Sequence, residues 1–274
     1  FDPVIPDIRP PHMHDILDLD RFPLDRPGSA DRAALLDRCK ADLARTGMFN
    51  LDGLLRPEAA LAEARALAPR FDAESFRHAR EHNIYFLKSV PGLAPDHPAL
   101  ARFQTINHTL CADQLGDSAL LRLYGWPPFA QFLAAVMEKP ALYLMDDPLA
   151  RVNVMRYREG EALNWHFDRS EFTTTLLLQA PLEGGAFEYR TDLRSAENPN
   201  YEGVARMLRG EDGEVKSLTL TPGTLNVFKG RNTAHRVSPV RGDVARMIAV
   251  FSYYERPGVC FSDEERVGFY GRAG

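Results

Sequence analysis

The spacing of apolar side chains changes character about half-way along the chain. Before that point, apolar residues recur every three or four positions, as in "SADRAALLDRCKADLARTG", where Leu36, Cys39 and Leu43 share one face and Gly47 follows. This period is that of an amphipathic helix, and glycine often ends one. "PEAALAEARALAPRF", "HPALARFQTINHTLCADQLG" and "PPFAQFLAAVMEK" repeat the pattern. Residues 1–140 are therefore predicted to be mainly helical.

From about Ala141 onward the period shortens. The chain contains short runs rich in β-branched and aromatic residues, separated by Gly, Pro and Asn turns: "RVNVMRYRE", "ALNWHFD", "TTTLLLQA", "GAFEYR", "VKSLTLT", "TLNVFKG", "AHRVSPV" and "VARMIAVFSYYE". Such runs are typical of β-strands. Because the helices precede the strands and do not alternate with them, we predict an α+β fold. Its core is a jelly-roll, or double-stranded β-helix, with helices on one face.

The chain is expected to form one domain over residues 1–274. Residues 1–140 would supply helical support and a lid, residues 141–256 the jelly-roll core, and residues 257–274 a C-terminal extension. The segment 191–213 is a long insertion between strands. Insertions of this length are either ordered lids and interface elements or solvated loops with a short helix, and the sequence leaves both open.

Composition narrows the class of protein. The chain is 45% hydrophobic, which is enough for a sizeable core, and its net charge of -5 comes from intermixed acidic and basic residues. Nucleic acid is therefore not an expected partner. Three widely separated cysteines form no disulfide framework, which favours a cytoplasmic location, and no apolar stretch is long enough for a membrane span. A small-molecule substrate is expected, and a homodimer is one oligomeric state that the sequence allows.

The segment "NWHFDRSE" contains the one His-x-Asp of the chain. Residues two apart on a strand share a face, so His166 and Asp168 project together while Trp165 and Phe167 project oppositely. A polar pair at the surface and two ligands of one metal ion are both compatible with this pattern. His235 is the only other histidine among the predicted strands, and it would complete a two-histidine, one-carboxylate set that suits non-haem Fe(II). We call these three residues the metal triad.

Three further residues strengthen the metal hypothesis. Asn153 and Tyr157 lie four residues apart on the strand before the His-x-Asp and so share a face. Arg246 follows His235 across a Gly-Asp turn, on the next strand. A buried arginine beside a metal ion is costly without an anion, so its position calls for a carboxylate ligand. Arg241 is a competing candidate, but it lies at the turn.

With "YREGEALNWHFD", "PGTLNVFKG", "HRVSPV" and Arg246 in this order, residues 150–256 resemble the Fe(II)- and 2-oxoglutarate-dependent dioxygenases. The resemblance implies that the metal triad binds iron and that Arg246 pairs with the distal carboxylate of 2-oxoglutarate. It also implies that Asn153 and Tyr157 help to hold this co-substrate, as in some members.

The resemblance implies an activity as well. A dioxygenase of this family uses O2 and 2-oxoglutarate, releases succinate and CO2, and oxidises an unactivated C–H bond. In related halogenases a glycine replaces the carboxylate ligand, whereas this chain has Asp168, so we predict hydroxylation or another oxidative outcome and not halogenation. The segments "SYYERPGVCFSDEERVGFYGR" and "NYEGV" are similar to small-molecule members, which implies a free amino acid or a derivative as substrate, in secondary metabolism.

Three residues are candidates for substrate contacts. Arg169 and Glu171 follow the metal strand and could reach the carboxylate and ammonium of a zwitterion, although a surface ion pair explains them equally well. His78 precedes His82 by four residues, and on the predicted helix the two would share a face. They would belong to a lid or would simply be exposed histidines.

Two other classes of protein remain open. A cupin-like metal-dependent isomerase, or another non-oxidative metalloenzyme, would share the β-structure and the histidines but would have no use for Arg246. A binding or scaffold protein could retain the β-structure without catalysis, but the intact metal triad argues against it.

Overall fold

The computed structural model describes residues 12–274. The helices within this range are α1 (Met13–Ile16), α2 (Ala30–Thr46), α3 (Pro57–Glu74), α4 (Ala119–Gly125), α5 (Pro127–Val136), α6 (Tyr201–Leu208) and α7 (Asp263–Tyr270), with short 3-10 turns at Pro98–Leu100 and Ala112–Gln114. The strands are β1 (Met48–Leu51), β2 (Phe76–His82), β3 (Phe103–Leu110), β4 (Tyr143–Leu144), β5 (Val152–Tyr157), β6 (Leu163–His166), β7 (Thr173–Gln179), β8 (Glu183–Gly184), β9 (Phe187–Arg190), β10 (Lys216–Leu218), β11 (Leu225–Phe228), β12 (Ala234–Val237), β13 (Val240–Arg241), β14 (Arg246–Phe251) and β15 (Tyr253–Tyr254).

Two antiparallel sheets form the centre of the described chain. The larger sheet has seven strands in the order β1-β11-β7-β14-β5-β3-β2, and the smaller has four in the order β10-β9-β12-β6. Two short pairs, β13 with β8 and β15 with β4, extend this arrangement. The double-sheet architecture is the one that the sequence predicts.

Side chains of the larger sheet alternate between two environments. On β14, Met247, Ala249 and Phe251 pack in the main hydrophobic core with side chains of α2, α3 and α5. Arg246 and Ile248 face the opposite way, into a cavity. This is the period of two that a pleated strand imposes, and β5 and β11 follow it too. Helices therefore cover one face of the larger sheet, as predicted, and the other face encloses a cavity against the smaller sheet.

The helices α2, α3 and α5 confirm the sequence-based prediction, and their ends show why. The side chain of Ser29 accepts a hydrogen bond from the backbone N–H of Arg32, which caps the start of α2. Gly47 ends the same helix at φ 77°, in the left-handed region that favours glycine. Pro57 occupies the first turn of α3, where its missing N–H costs nothing.

The helix predicted between residues 97 and 116 is wrong, since most of this segment forms β3. The side chains of Thr105, Asn107 and Thr109 point together into the cavity, which is strand periodicity. Residues 76–82 likewise form β2, paired with β3 along its whole length. Pairing with neighbours distant in sequence decides these segments, and this overrides a local pattern that is compatible with a helix. The β-branched threonines also favour a strand.

Strands from the first 110 residues therefore enter the larger sheet. β1 pairs with β11 at one edge, and β3 pairs with β5 toward the other. The predicted division at residue 141 does not separate helices from sheet, because the sheet draws strands from both sides of it.

The insertion 191–213 is ordered and contains α6. Val204 and Met207 of this helix are buried in one cluster with Trp165 and Phe167. The insertion therefore packs against the face of β6 and its extension that carries Trp165 and Phe167, opposite the face that carries His166. No helix within residues 12–274 combines the length and the apolar composition that crossing a bilayer requires.

Candidate metal centre

The structure brings the three residues of the metal triad together. β6 and β12 are antiparallel neighbours whose register places His235 directly opposite His166, with ring centroids 4.2 Å apart. Asp168 lies just beyond the end of β6. Its Oδ1 is 3.2 Å from Nε2 of His166, and its Oδ2 is 3.3 Å from Nε2 of His235. The ligand atoms all lie within 4.8 Å of one another, which is compatible with three corners around one ion.

Backbone carbonyls hold both imidazoles in the orientation that a metal requires. Nδ1 of His166 is 2.8 Å from the carbonyl oxygen of Asn164, and Nδ1 of His235 is 2.8 Å from that of Thr233. Each Nδ1–H donates to a carbonyl two residues earlier, so each Nε2 keeps its lone pair for a cation. The two histidines are held by the same local device on two different strands.

The Asp168 carboxylate is also fixed by its surroundings. The hydroxyl of Thr173 donates to Oδ2 of Asp168 at 2.5 Å, and the backbone N–H of Asp168 donates to the carbonyl of Gly230 at 3.0 Å. A Cβ at Gly230 would lie 2.3 Å from Oδ2 of Asp168, so any larger residue would push the carboxylate away. Sequence reasoning did not identify Thr173 or Gly230, although the Gly in "NVFKG" is a signal for close backbone approach.

Burial and mutual charge set the protonation of the triad. Burial alone would raise the pKa of Asp168, but the charges and hydrogen bonds of His235 and His166 together outweigh it and hold the pKa well below its ordinary value. Burial lowers the pKa of His166, with a further contribution from His235. For His235 the adjacent carboxylate outweighs burial and raises the pKa. An ionised carboxylate between two imidazoles is the donor set that a divalent cation prefers.

Arg246 supplies a buried positive charge in the same cavity. Its side chain is 2% exposed, and its Nη1 has no hydrogen-bond partner within residues 12–274. Burial lowers the pKa of its guanidinium to about 10. A Cβ at Gly185, where φ is 60°, would lie 3.1 Å from Cδ of Arg246, so glycine gives the arginine stem room to pass. An unpaired buried guanidinium is costly, and a bound carboxylate would remove most of that cost.

Asn153 and Tyr157 both face the cavity but differ in what they contact. Tyr157 pairs with Arg246 across β5 and β14, and its ring lies 5.9 Å from the guanidinium carbon. The amide of Asn153 is already engaged, since it donates to the Leu149 carbonyl at 2.8 Å and accepts from the Tyr270 hydroxyl at 2.8 Å. Tyr157 is thus better placed than Asn153 to contact an anion at Arg246.

The cavity between the sheets has a volume of about 380 Å³, and it contains both the metal triad and Arg246. One end, at Arg246, is fully buried. The other end opens to solvent between Arg80, Phe86 and Arg169, and we call this end the mouth. Asn226 also lines the cavity; it is 1% exposed and its Oδ1 has no partner among the described residues. Sequence reasoning did not identify Asn226, Arg80 or Phe86.

The predicted substrate residues fall in different places. Arg169 lies at the mouth, where its guanidinium is 3.5 Å from the Glu265 carboxylate. His78 also lines the cavity, but from strand β2 and not from a helix, so its predicted setting was wrong. Glu171 is not among the cavity residues; its carboxylate accepts a hydrogen bond from Lys139 at 2.8 Å. The structure does not place Glu171 opposite Arg169.

Three comparisons with known proteins bear on this site. A family model described as Halogenase D matches residues 101–260 of the chain. No curated protein matches its sequence.

Several solved structures share its fold. The α-ketoglutarate-dependent epimerase SnoN from nogalamycin biosynthesis is 20% identical over 81% of this chain and 83% of its own, with a TM-score of 0.56. AviO1 from Streptomyces viridochromogenes Tue57 is 20% identical over 85% of this chain and 98% of its own, with a TM-score of 0.53. HygX from Streptomyces hygroscopicus, solved with nickel, 2-oxoglutarate and hygromycin B, is 13% identical over 79% and 86%, with a TM-score of 0.52.

At these identities the likeness establishes the fold. The chain has the double-stranded β-helix fold of the Fe(II)- and 2-oxoglutarate-dependent oxygenases. The fold class predicted from the sequence, and the resemblance to this superfamily at the level of fold, are confirmed. The narrower expectation of an amino-acid substrate is not addressed by these matches.

Proposed function

The chain belongs to the Halogenase D family, and from this premise we propose that it is an Fe(II)- and 2-oxoglutarate-dependent oxygenase that hydroxylates a C–H bond of a small molecule. The observation that carries the proposal is the coexistence of two features in one cavity. These are a metal triad with three convergent ligands and a buried guanidinium whose Nη1 has no partner among the residues that the structure describes. A cupin-like isomerase would need the first feature and not the second.

The residues of the cavity fit both Fe(II) and 2-oxoglutarate. His166, Asp168 and His235 would hold Fe(II) through two imidazole nitrogens and a carboxylate, the set typical of non-haem iron with open positions. Arg246, with Tyr157 beside it, would hold the distal carboxylate of 2-oxoglutarate. When bound with O2, iron and 2-oxoglutarate supply oxidative decarboxylation to succinate and CO2, coupled to oxidation of the substrate.

The chain itself contributes position and exclusion of water. The carbonyls of Asn164 and Thr233 orient the histidines, and the hydroxyl of Thr173 orients Asp168. The layer of Phe187 and Phe228 against His235 lines the same cavity with apolar surface, which limits the access of water beside the ligand. Such a site favours reaction with a bound substrate over side reactions with solvent.

Asp168 supports hydroxylation in preference to halogenation, in spite of the family's description. The resemblance of the sequence implies that, in related halogenases, a glycine at this position leaves room for a halide at the metal. Here the carboxylate is present, hydrogen-bonded to Thr173 and closely enclosed by Gly230. The ligand position is therefore held by the protein.

The same fold also occurs in a neighbour with a different outcome: SnoK, 14% identical and with a TM-score of 0.51, is described as a carbocyclase. For this chain we propose hydroxylation first, with desaturation or ring closure as related outcomes of the same chemistry. A free amino acid or a derivative is the proposed substrate class, on the basis of the C-terminal segment and the insertion motif.

The direct test is anaerobic titration of the protein with Fe(II) and then with 2-oxoglutarate. A weak visible charge-transfer band is expected only when both are present, because the 2-oxo acid must chelate the metal. Asp168→Ala should abolish substrate-dependent succinate formation. A protein that binds Fe(II) without developing the band on addition of 2-oxoglutarate would favour the isomerase alternative.

A second assay separates hydroxylation from halogenation. Once a substrate is found by screening amino acids and their derivatives for succinate release, turnover is run with and without chloride or bromide. The expected product gains oxygen in every case. A halogenated product from the wild-type protein would contradict the role given to Asp168.

A further inference from the structure

The mouth of the cavity has a positive charge that the proposed reaction does not use. β2 is the edge strand of the larger sheet, and its residues at alternate positions, His78, Arg80 and His82, face the cavity. β3 places Thr105 opposite Arg80. The mouth thus begins with a row of basic side chains on a single strand face.

Two of these three side chains differ sharply in their partners. His82 is satisfied, since its Nδ1 is 3.0 Å from the Asn83 carbonyl and its Nε2 is 2.6 Å from the hydroxyl of Thr105. Arg80 forms no ion pair and no hydrogen bond with any residue between 12 and 274. The centroid of the Phe86 ring lies 4.3 Å from its guanidinium carbon. Arg80 is therefore a cation stacked on an aromatic ring, with its donors unused.

A hydrogen-bonded loop presents this aromatic ring. Phe86 has φ 55°, which is uncommon for a residue with a large side chain. The buried Asn83 side chain holds the loop by accepting hydrogen bonds from the backbone N–H groups of Tyr85 and Leu87, both at 3.1 Å. Ile84 is fully buried behind the loop. Strain of this kind persists only where the surroundings enforce it, and it often marks a functional position.

The Phe86 ring has a defined position relative to the metal triad. It stacks on His82 at 4.6 Å between centroids and meets His166 edge-on at 5.9 Å. Phe86 is 40% exposed although it is hydrophobic. An apolar ring held beside a metal ligand, with an unpaired guanidinium above it, forms a surface for a molecule that has one apolar and one anionic part.

The balance of charge in the cavity also favours a molecule with an anionic part. Fe(II) with Asp168 would carry one net positive charge, and 2-oxoglutarate with Arg246 would carry one net negative charge, so the inner end is neutral. At the mouth, Arg80 and Arg169 add positive charge, and Asp168 is the one carboxylate among the cavity residues that the structure describes. Glu265 offsets Arg169 from outside the cavity. Of the mouth residues that the structure describes, Arg80 and Arg169 are cations and Phe86 is apolar, so none of them offers a carboxylate to an ammonium group.

We propose that the primary substrate carries a carboxylate or phosphate group that binds to Arg80, assisted by Arg169, with its apolar part on Phe86 and without a free ammonium group at this end. The inference rests on the proposed function and narrows it. Among amino acids and their derivatives, it favours those whose amine is blocked. The arrangement predicted from the sequence, in which Arg169 and Glu171 bind a zwitterion, is replaced by one in which both anchors are cationic.

Probes that share one skeleton and differ in an anionic, neutral or cationic end group test the proposal. 3-Phenylpropanoate, 3-phenylpropyl phosphate, 3-phenylpropanol and 3-phenylpropylamine are titrated calorimetrically into the protein loaded anaerobically with Fe(II) and 2-oxoglutarate. At least one anion is expected to bind about tenfold or more tightly than the alcohol, as a charge-assisted hydrogen bond to arginine would give, and the amine is expected to bind more weakly than the alcohol. Comparison of the two anions distinguishes a carboxylate site from a phosphate site.

Variants locate the binding to Arg80. Arg80→Gln should weaken the favoured anion about tenfold and leave the alcohol unchanged, and Arg80→Lys should retain part of the affinity. Arg77→Gln is the matched control, because Arg77 lies on the same strand with its side chain outside the cavity, and it removes the same charge. An equal loss of affinity for the anion in Arg77→Gln would mean that long-range charge, and not contact with Arg80, causes the effect, and it would overturn the proposal.

Two outcomes separate this inference from the proposed function. If the charge-transfer band forms but the anions bind no better than the alcohol, or the amine binds best, the anion site is wrong and the oxygenase proposal stands. If the band does not form, the oxygenase proposal fails whatever the probes do.

Discussion

The two ends of the cavity are built on different principles. At the inner end, His166, His235 and Arg246 lie on β6, β12 and β14 and are buried, and Asp168, just beyond β6, is partly buried. Backbone hydrogen bonds or strand pairing constrain each of them. At the mouth, Arg80, Phe86 and Arg169 come from an edge strand, a strained loop and an irregular segment. The inner end has the fixed geometry that binding of a metal and a co-substrate requires. The mouth has charged and aromatic side chains that suit one particular substrate.

This difference indicates where specificity resides. A site that must hold the same metal and the same co-substrate needs fixed positions, which paired strands supply. A site that selects one molecule can be carried by loops and edges, which vary with little effect on the core. Substitutions at the inner end should therefore abolish the reaction, and substitutions at the mouth should change what is bound. The following predictions test that separation in order of decreasing effect.

The largest effect is expected for Arg246→Gln. The affinity for 2-oxoglutarate, measured by the charge-transfer titration, should fall about 30-fold or more, because a buried charge pair is lost. The free energy of unfolding in urea should stay the same or rise, since Nη1 of the guanidinium has no partner within residues 12–274 and its burial is costly. Arg241→Gln is the control, because Arg241 is exposed and lies in the short strand β13. Equal loss of affinity in both variants would contradict the assignment of Arg246.

A smaller effect is expected for Asp147→Asn, which loosens the C-terminal segment that carries Glu265, the partner of Arg169. Asp147 is fully buried, and its two oxygens accept hydrogen bonds from Leu149, Ala150, Phe261 and Arg266. An amide cannot accept all four, so the free energy of unfolding should fall by about 2 kcal/mol. Affinity for 2-oxoglutarate should stay near that of the wild type, since none of these groups lines the cavity.

The same variant has a predictable dependence on pH. Burial alone would raise the pKa of Asp147, but the four donors outweigh it and lower the pKa below its ordinary value. A carboxyl whose pKa is lowered on folding stabilises the protein at neutral pH and loses this contribution as the pH falls through the folded-state pKa. The difference in unfolding free energy between wild type and Asp147→Asn should therefore shrink in acid. A constant difference down to low pH would contradict the ionised state of Asp147.

The smallest effect is expected for a pair of substitutions at Phe86. Phe86→Ala and Phe86→Gly remove the same ring, but alanine resists the positive φ that glycine accepts. Urea denaturation should show the glycine variant to be the more stable by about 1 kcal/mol. Both should weaken the phenylpropyl probes alike. If the alanine variant is as stable as the glycine variant, the loop relaxes without its ring, and the platform is less rigid than its hydrogen bonds indicate.

The sequence predicted the inner end well because that end depends on local order. His166 and Asp168 lie two residues apart, and the strand that carries His235 leads through the short strand β13 and a turn to the strand that carries Arg246. Alternation along each strand then aims the side chains. The mouth depends on pairing over long distances: β2 and β3 join the sheet through β5, and nothing local in "FRHAREH" requires a strand.

The failure at Glu171 has a related cause. Alternation orients side chains only while the chain remains a strand, and β6 ends at His166. Asp168 still reaches the triad because Thr173 and Gly230 hold it there. Beyond it the chain bends, and Glu171 pairs with Lys139 outside the cavity. Contacts of this kind follow from the completed fold and have no counterpart in the spacing of residues.

The carbonyl contacts of Asn164 and Thr233 have a consequence for metal loading. They fix both imidazoles before any ion arrives, so an incoming cation freezes few side chains and loses little affinity to conformational entropy. The same preorganisation gives the centre little selectivity among metals, because the donors are equally well placed for nickel, cobalt or zinc. Which metal is bound would then depend on which ions are available in the cell when the chain folds. A purified sample could contain a tightly bound metal that does not support catalysis.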